Sequence, residues 1–211
     1  MKTNKNCVIR LSKYKNALNR LQALGFVKVF SDNLADAIGV TASQVRKDFS
    51  IFGISGNKRG GYKIEELIEK INNILGKNEL NKVIIVGVGK LGMALLKYKG
   101  FEKEGIKIVA SFDIDSTKYV NDADVPVLPL EKLNDFVRKN NIRIGIIAVP
   151  DMAAQSVADS MFLAGIKGIL NFAPIRLTSP EDKVLNNVNL EVELENLIYF
   201  VNVLDKTREH K

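Results

Sequence analysis

Between Leu11 and Leu24 the apolar positions Leu11, Tyr14, Leu18, Leu21 and Leu24 recur every three or four residues and stop at Gly25, which predicts a helix with one buried face. The following stretch, SDNLADAIGVTASQVRKDF from 31 to 49, carries two short helical patterns around one glycine. Leu34, Ala35 and Ile38 follow a capping Ser31, and Val45 and Phe49 follow a capping Thr41 or Ser43. Two short helices joined through Gly39 form a helix-turn-helix, and in that geometry the N-terminal part of the second helix enters a major groove. ISGNKRGGYKI, 54 to 64, then reads as a hairpin with a glycine-rich basic tip, which makes the unit a winged helix. Glu65 to Leu75, with Leu67, Ile68, Ile71, Ile74 and Leu75 on one face, closes it.

The pattern changes after the polar stretch GKNELNK, 76 to 82. Lys82–Val88, Ile106–Asp113, Arg143–Val149 and Lys167–Asn171 are apolar, mostly β-branched runs. Between them, segments near Leu91–Tyr98, Leu130–Asn140 and Met152–Leu163 have helical spacing. Buried parallel strands with crossover helices follow, so the fold class is α/β: an N-terminal winged helix and a Rossmann-type parallel sheet. Leu190 to Lys206 is helical, and Leu190, Val192, Tyr199, Phe200 and Val203 widen its apolar face beyond the stripe Leu194, Leu197, Ile198, Val201 and Leu204. Such a helix needs a partner surface. The expected domains are 1–76 for DNA binding, 77–188 for a nucleotide and 189–211 for a terminal helix whose partner lies in its own chain or another.

Charge sharpens this division. Of the net +7 of the 211-residue chain, residues 1–76 carry all of it, with 13 Lys and Arg against 6 Asp and Glu, while the remainder balances at 18 against 18. A basic module facing a polyanion beside a neutral one suggests nucleic acid. On the second helix Gln44, Arg46 and Lys47 fall on the side opposite Val45 and Phe49, and Arg46 is the first choice for a base contact. Asp48 is expected to orient a neighbouring Arg or cap locally. The DNA-facing candidates are Arg10, Ser43, Gln44, Arg46, Lys47, Ser50 and, at the wing, Lys58, Arg59 and Gly60. No apolar run approaches the roughly 20 residues of a membrane span, and one histidine, His210, with one cysteine, Cys7, gives no metal-ligand cluster. A cytoplasmic protein is expected, with Cys7 an ordinary thiol in a loose N-terminal arm.

Gly87-Val88-Gly89-Lys90-Leu91-Gly92 lies directly after one strand and opens a helix, the context in which G-x-G-x-x-G cradles a pyrophosphate. Asp113 ends the second strand about twenty residues later, where a carboxylate accepts from a ribose 2′-hydroxyl and repels a 2′-phosphate, with Asp115 as the neighbouring alternative. NAD(H) is preferred over NADP(H), and another adenine nucleotide such as coenzyme A is the competitor. A hydride-transfer enzyme would need an acid or base for its substrate. His210 is next to last, Lys90 is inside the loop, Tyr98 is at the far end of the following helix, and about forty residues after Gly168 leave no room for a substrate domain. The nucleotide reads as a signal rather than a reagent. A small NAD-dependent oxidoreductase is the runner-up, and a nucleotide-binding scaffold without DNA is the third reading.

TASQVRKDFSIFG (41–53), GNKRGGYKI (56–64), VGVGKLGMAL (86–95), AVPDMAAQ (148–155) and GIKGILNFAPIRL (165–177) together resemble the Rex family of bacterial redox-sensing transcriptional repressors, in the expected order over about residues 10 to 203. The resemblance implies a homodimer whose oxidised or apo-like form binds a palindromic operator and which releases it when NADH binds, with NADH and NAD+ as its ligands. It implies nucleotide contacts from Gly87 to Gly92, Asp113 and Ile114, from Ala148, Val149 and Pro150, and from Asn171, Phe172, Ala173 and Pro174 near the nicotinamide. It implies a C-terminal helix exchanged between subunits, and an allosteric switch on Arg10, Tyr98 and Asn189, with Tyr98 also near the cofactor. Two positions depart from the family pattern: Asn189 stands where a carboxylate is usual, and Ser12 where proline is common.

Overall fold

The computed structural model describes residues 5–56, 60–77 and 79–209, and the chain divides into two units, 1–79 and 80–211. In the first, α1 (Lys5–Ala23), β1 (Lys28–Val29), α2 (Ser31–Ile38), α3 (Ala42–Ile51), β2 (Tyr62–Lys63) and α4 (Ile64–Ile74) enclose one core. Leu11, Tyr14, Leu18, Leu34, Val45, Phe49, Leu67 and Ile71 are buried there, each aliphatic or aromatic side chain contributing about 1.5–3 kcal/mol. Phe49 meets Tyr14 and Tyr62 edge-on, with ring centres 5.3 and 5.2 Å away.

Three expectations for this unit change. First, α1 begins at Lys5 and runs through Ser12 without a break. Cys7 lies four residues before Leu11 on the same stripe and is 1% exposed, so it sits in the core and not in a loose arm. Leu24, expected on that stripe, is exposed, because the helix has ended at Ala23 and Gly25 turns the chain with φ +86°. Second, Ser31 is the first helical residue of α2 and not its cap; the amide of Phe30 donates to Asn33 Oδ1 at 3.1 Å. Third, the strand before the wing is not 54 onward. β2 pairs antiparallel with β1, Val29 opposite Tyr62, and the Ile64 amide extends the ladder to the Val27 carbonyl at 2.9 Å. The glycine-rich stretch lacks the β-branched positions a second strand needs, whereas Val29 supplies an inward side chain. Lys58 and Arg59 lie outside the described residues.

In the second unit β3 (Asn81–Val86), α5 (Lys90–Leu96), α6 (Gly100–Lys103), β4 (Ile106–Asp113), β5 (Val127–Pro129), α7 (Leu133–Lys139), β6 (Ile144–Ile147), α8 (Asp151–Ala164), β7 (Gly168–Asn171), β8 (Val184–Asn187) and α9 (Leu190–Glu209) follow in order. The sheet is parallel throughout, in the order β5-β4-β3-β6-β7-β8. Strand order reverses between β3 and β6, which opens a crevice beyond their C-terminal ends. One face packs Ile84, Val86, Phe112 and Ile147 on Leu133, Val137, Val157 and Met161. The other packs Val83, Ile85, Ile108 and Ile146 on Leu95, Leu96 and Phe101. Side chains of α9 through Lys206 are exposed around its whole circumference, Leu194, Leu197, Ile198, Tyr199, Phe200 and Leu204 among them.

Candidate functional site

Thr41 caps α3 by accepting the Gln44 amide at 3.1 Å, which selects Thr41 over Ser43 and fixes where α3 starts. Val45 and Phe49 anchor its inner face, leaving Ser43, Arg46, Lys47 and Ser50 exposed and Gln44 half-buried. Asp48 lies fully buried beneath them. Its carboxylate accepts from Arg10 Nε at 2.6 Å and Nη2 at 2.8 Å, from Tyr14 Oη at 2.9 Å, from Gln44 Nε2 at 2.7 Å and from Cys7 Sγ at 3.3 Å. Burial opposes its ionisation, but the donors from Arg10, Gln44, Tyr14 and Cys7 outweigh it and hold the carboxyl at about 2. The Cys7 thiol is pushed up by burial and then by Asp48, which removes the thiolate character that reactive cysteines need. The expectation that Asp48 orients an arginine thus describes one arm of a larger cluster, and Arg10 is committed to it.

At the crevice two glycines answer to the chain's own packing. A Cβ on Gly87, where φ is +96°, would collide with the Ala148 carbonyl, and one on Gly92 with the Gly87 carbonyl. Gly89 is different: a Cβ there would meet nothing within 4 Å. The middle glycine therefore borders open space beside Lys90 and Leu91, which are also exposed, and this room fits a pyrophosphate approaching the backbone. Val88 is buried, and its amide donates to Asp113 Oδ2 at 2.7 Å, tying the loop to the end of β4. Asp113 also accepts from the Asp115 amide at 3.0 Å and from Lys118 Nζ at 3.1 Å. Burial raises its carboxyl, and the Asp115, Val88 and Lys118 donors bring it below its ordinary value, so it stands ionised with acceptor capacity for a ribose hydroxyl. Asp115 instead caps the turn 116–118, accepting the Thr117 amide and hydroxyl at 3.0 and 2.6 Å. Ile114, beside Asp113, is 78% exposed and offers an apolar surface to an adenine.

Across the crevice Ala148 and Val149 are half-buried and Pro150 exposed, where the chain leaves β6 for α8. The NFAP turn is organised from below. Asn171 is fully buried, its Nδ2 donating to the Ile175 carbonyl at 2.8 Å and to Asn187 Oδ1 at 2.9 Å, and its Oδ1 accepting the Ala173 amide at 2.9 Å. Phe172, half-buried, and Pro174, exposed, are what the turn presents, while Ala173 is buried. Tyr98 is exposed two residues past the end of α5, edge-on to Phe101 at 5.1 Å. Asn189 caps α9: its Oδ1 accepts the Glu191 and Val192 amides at 2.9 and 3.2 Å. Sequence reasoning overlooked Lys118 and Asn187, and for Asn189 this capping; an Asn one residue before an apolar helical run is a capping signal that was available.

Among the described residues no helix is long and apolar enough to cross a membrane, and no group of three His, Cys, Asp or Glu could hold a metal ion.

Residues 4–50 match the family described as "Putative DNA-binding protein N-terminus", and residues 78–175 match the CoA binding domain family. Curated relatives include the redox-sensing transcriptional repressor Rex of Desulforamulus reducens, 44% identical over 94% of this chain and 95% of the relative. Rex of Carboxydothermus hydrogenoformans is also 44% identical, over 91% of this chain and 93% of its own. The crystal structure of RSP, a Rex-family repressor, superposes with a TM-score of 0.89 at 36% identity, covering 99% of this chain and 98% of that one. RSP with beta-NAD+ and operator DNA gives 0.92 at 36% identity, over 99% and 97% of the two chains. RSP with beta-NADH gives 0.88 at 36% identity over both whole chains.

Proposed function

We propose how the molecule works from the premise that this chain belongs to the Rex family of redox-sensing transcriptional repressors. It is a repressor that binds palindromic operator DNA as a homodimer and is released when NADH binds, so that it reads the NADH/NAD+ ratio. What carries this reading in the chain itself is the pairing of two features. One is a capped recognition helix with Arg46 and Lys47 outward; the other is a parallel-sheet crevice whose middle glycine borders open space beside an ionised Asp113.

Residues 1–76 bind DNA, through Arg46 and Gln44 at base edges, through Ser43, Lys47 and Ser50 at the backbone, and through Lys58, Arg59 and Gly60 at the wing, while Arg10, expected to face DNA, is held on Asp48. Residues 77–188 hold the dinucleotide: Gly87 to Gly92 at the pyrophosphate, Asp113 and Ile114 at the adenosine, and Ala148 to Pro150 with Phe172 and Pro174 around the nicotinamide. Asn171 shapes that turn from within the core. Residues 189–211 carry the dimerisation helix, whose exposed apolar circumference is the surface a second copy covers. The bound nicotinamide supplies only its oxidation state. We read the protein as a cytoplasmic regulator rather than an enzyme, which the naming of its relatives as transcriptional repressors supports.

A ligand shifts the dimer only by its differential affinity for the two arrangements. Arg10 is already bound to Asp48, so a switch running through Arg10, Tyr98 and Asn189 has to compete with that pair. Titrating a protein–operator complex with NADH and, separately, with NAD+ at fixed salt tests the reading. Release by NADH at far lower concentration is expected; equal effects would overturn it, and turnover of a substrate would favour the oxidoreductase.

A further inference from the structure

The Asp48 carboxylate does more than hold Arg10: it lies buried inside a helix expected to face a polyanion. We propose that Gln44 reads an adenine in the major groove and that Asp48 is the positioning residue that aims it, a refinement that rests on the DNA-binding reading. Asp48 is fully buried and ringed by Arg10, Tyr14, Cys7 and Gln44. An ionised carboxylate only accepts, so the Gln44 amide must turn its nitrogen toward Asp48, at 2.7 Å, and cannot flip. With one N–H spent there, the amide has its oxygen and its second N–H left to offer. A donor beside an acceptor is the edge that matches adenine, whose N6 donates and whose N7 accepts. Guanine presents two acceptors at the same place and would set one against the amide oxygen.

The location agrees. Gln44 is the third residue after the Thr41 cap, in the first turn of α3, the part of a recognition helix that meets base edges. Arg10, from α1, supplies the other strong donor to the same carboxylate, and this locks Asp48 against rotating away from Gln44. A glutamine free in solution samples both amide orientations and loses rotamer freedom on binding; this one is set before DNA arrives.

The test selects duplexes from a randomised pool with the full-length protein at one fixed salt concentration, then measures affinity for the selected operator and its single-pair variants. Wild type is expected to prefer A·T at one position of each half-site. Gln44→Ala is expected to lose that preference to within about threefold of the other base pairs, with affinity for the selected operator falling about 10- to 100-fold. Asp48→Asn, checked for folding by its thermal melt, is expected to relax the same position and no other. Should it not fold, Gln44→Lys keeps a donor on the Asp48 carboxylate and is expected to replace the adenine preference with one for guanine, which offers two acceptors. Unchanged base preferences in Gln44→Ala would overturn the proposal, as would a loss in Asp48→Asn spread evenly over all positions and over non-specific DNA. A wild type that selects no sequence would overturn the DNA-binding reading itself.

Discussion

Arg10 and Asp48, 38 residues apart in the chain, meet through two hydrogen bonds of 2.6 and 2.8 Å, and the carboxylate that accepts them is closed off from solvent. Paired with a fork that is itself 23% exposed, a buried charge is stabilised by bidentate geometry and fixes α1 against α3.

Removing the guanidinium leaves that charge with only neutral donors. Arg10→Ala is expected to destabilise the N-terminal unit by about 3 kcal/mol, read by urea unfolding of the full chain with a probe in that unit. A loss below about 1 kcal/mol would mean that Tyr14, Gln44 and Cys7 suffice.

Acid should undo the same cluster. Asp48 is depressed from its ordinary 3.8 to about 2 in the folded protein, so its stabilisation is complete above the unfolded value. It is lost as pH falls from about 4 through 2. The change amounts to about 2 kcal/mol, and Asp48→Asn should flatten that part of a stability profile measured against pH.

Two of the three glycines from Gly87 to Gly92 should separate fold from function. Gly92→Ala forces a Cβ into the Gly87 carbonyl and is expected to lower the melting temperature and abolish NADH binding together. Gly89→Ala meets no atom of the chain, so the melt should stay within about 0.5 kcal/mol of wild type. Its NADH affinity, followed by nucleotide fluorescence, should drop at least tenfold, on the order of 1.4 kcal/mol.

Asn189→Ala removes the cap on α9 and should cost that helix about 1 kcal/mol, visible as faster hydrogen exchange at the Glu191 and Val192 amides. Asn189→Asp keeps an acceptor and should preserve the protection.

The sequence carried the elements whose physics is local. Periodicity placed α3 and α8, the glycine spacing placed the turn between β3 and α5, and Thr41 and Gly39 punctuated the two short helices, because caps, turns and apolar stripes are set by neighbours within a turn or two. Short or polar strands escaped it. β5 has three residues and ends in Pro129, and β8 reads Val-Leu-Asn-Asn; each is a strand only because an already formed neighbour offers it a ladder. The same holds for β1, whose partner lies beyond the helix-turn-helix. The arginine-orienting role of Asp48 was legible in the sequence, but the full set of partners of each buried polar group was decided only in three dimensions. Cys7, Asp48 and Asn171 are ordinary polar letters in the chain. Tertiary packing closes water away from them, and a buried polar group has to find partners wherever the fold brings them, across 41 residues for Cys7 and Asp48 and 16 for Asn171 and Asn187.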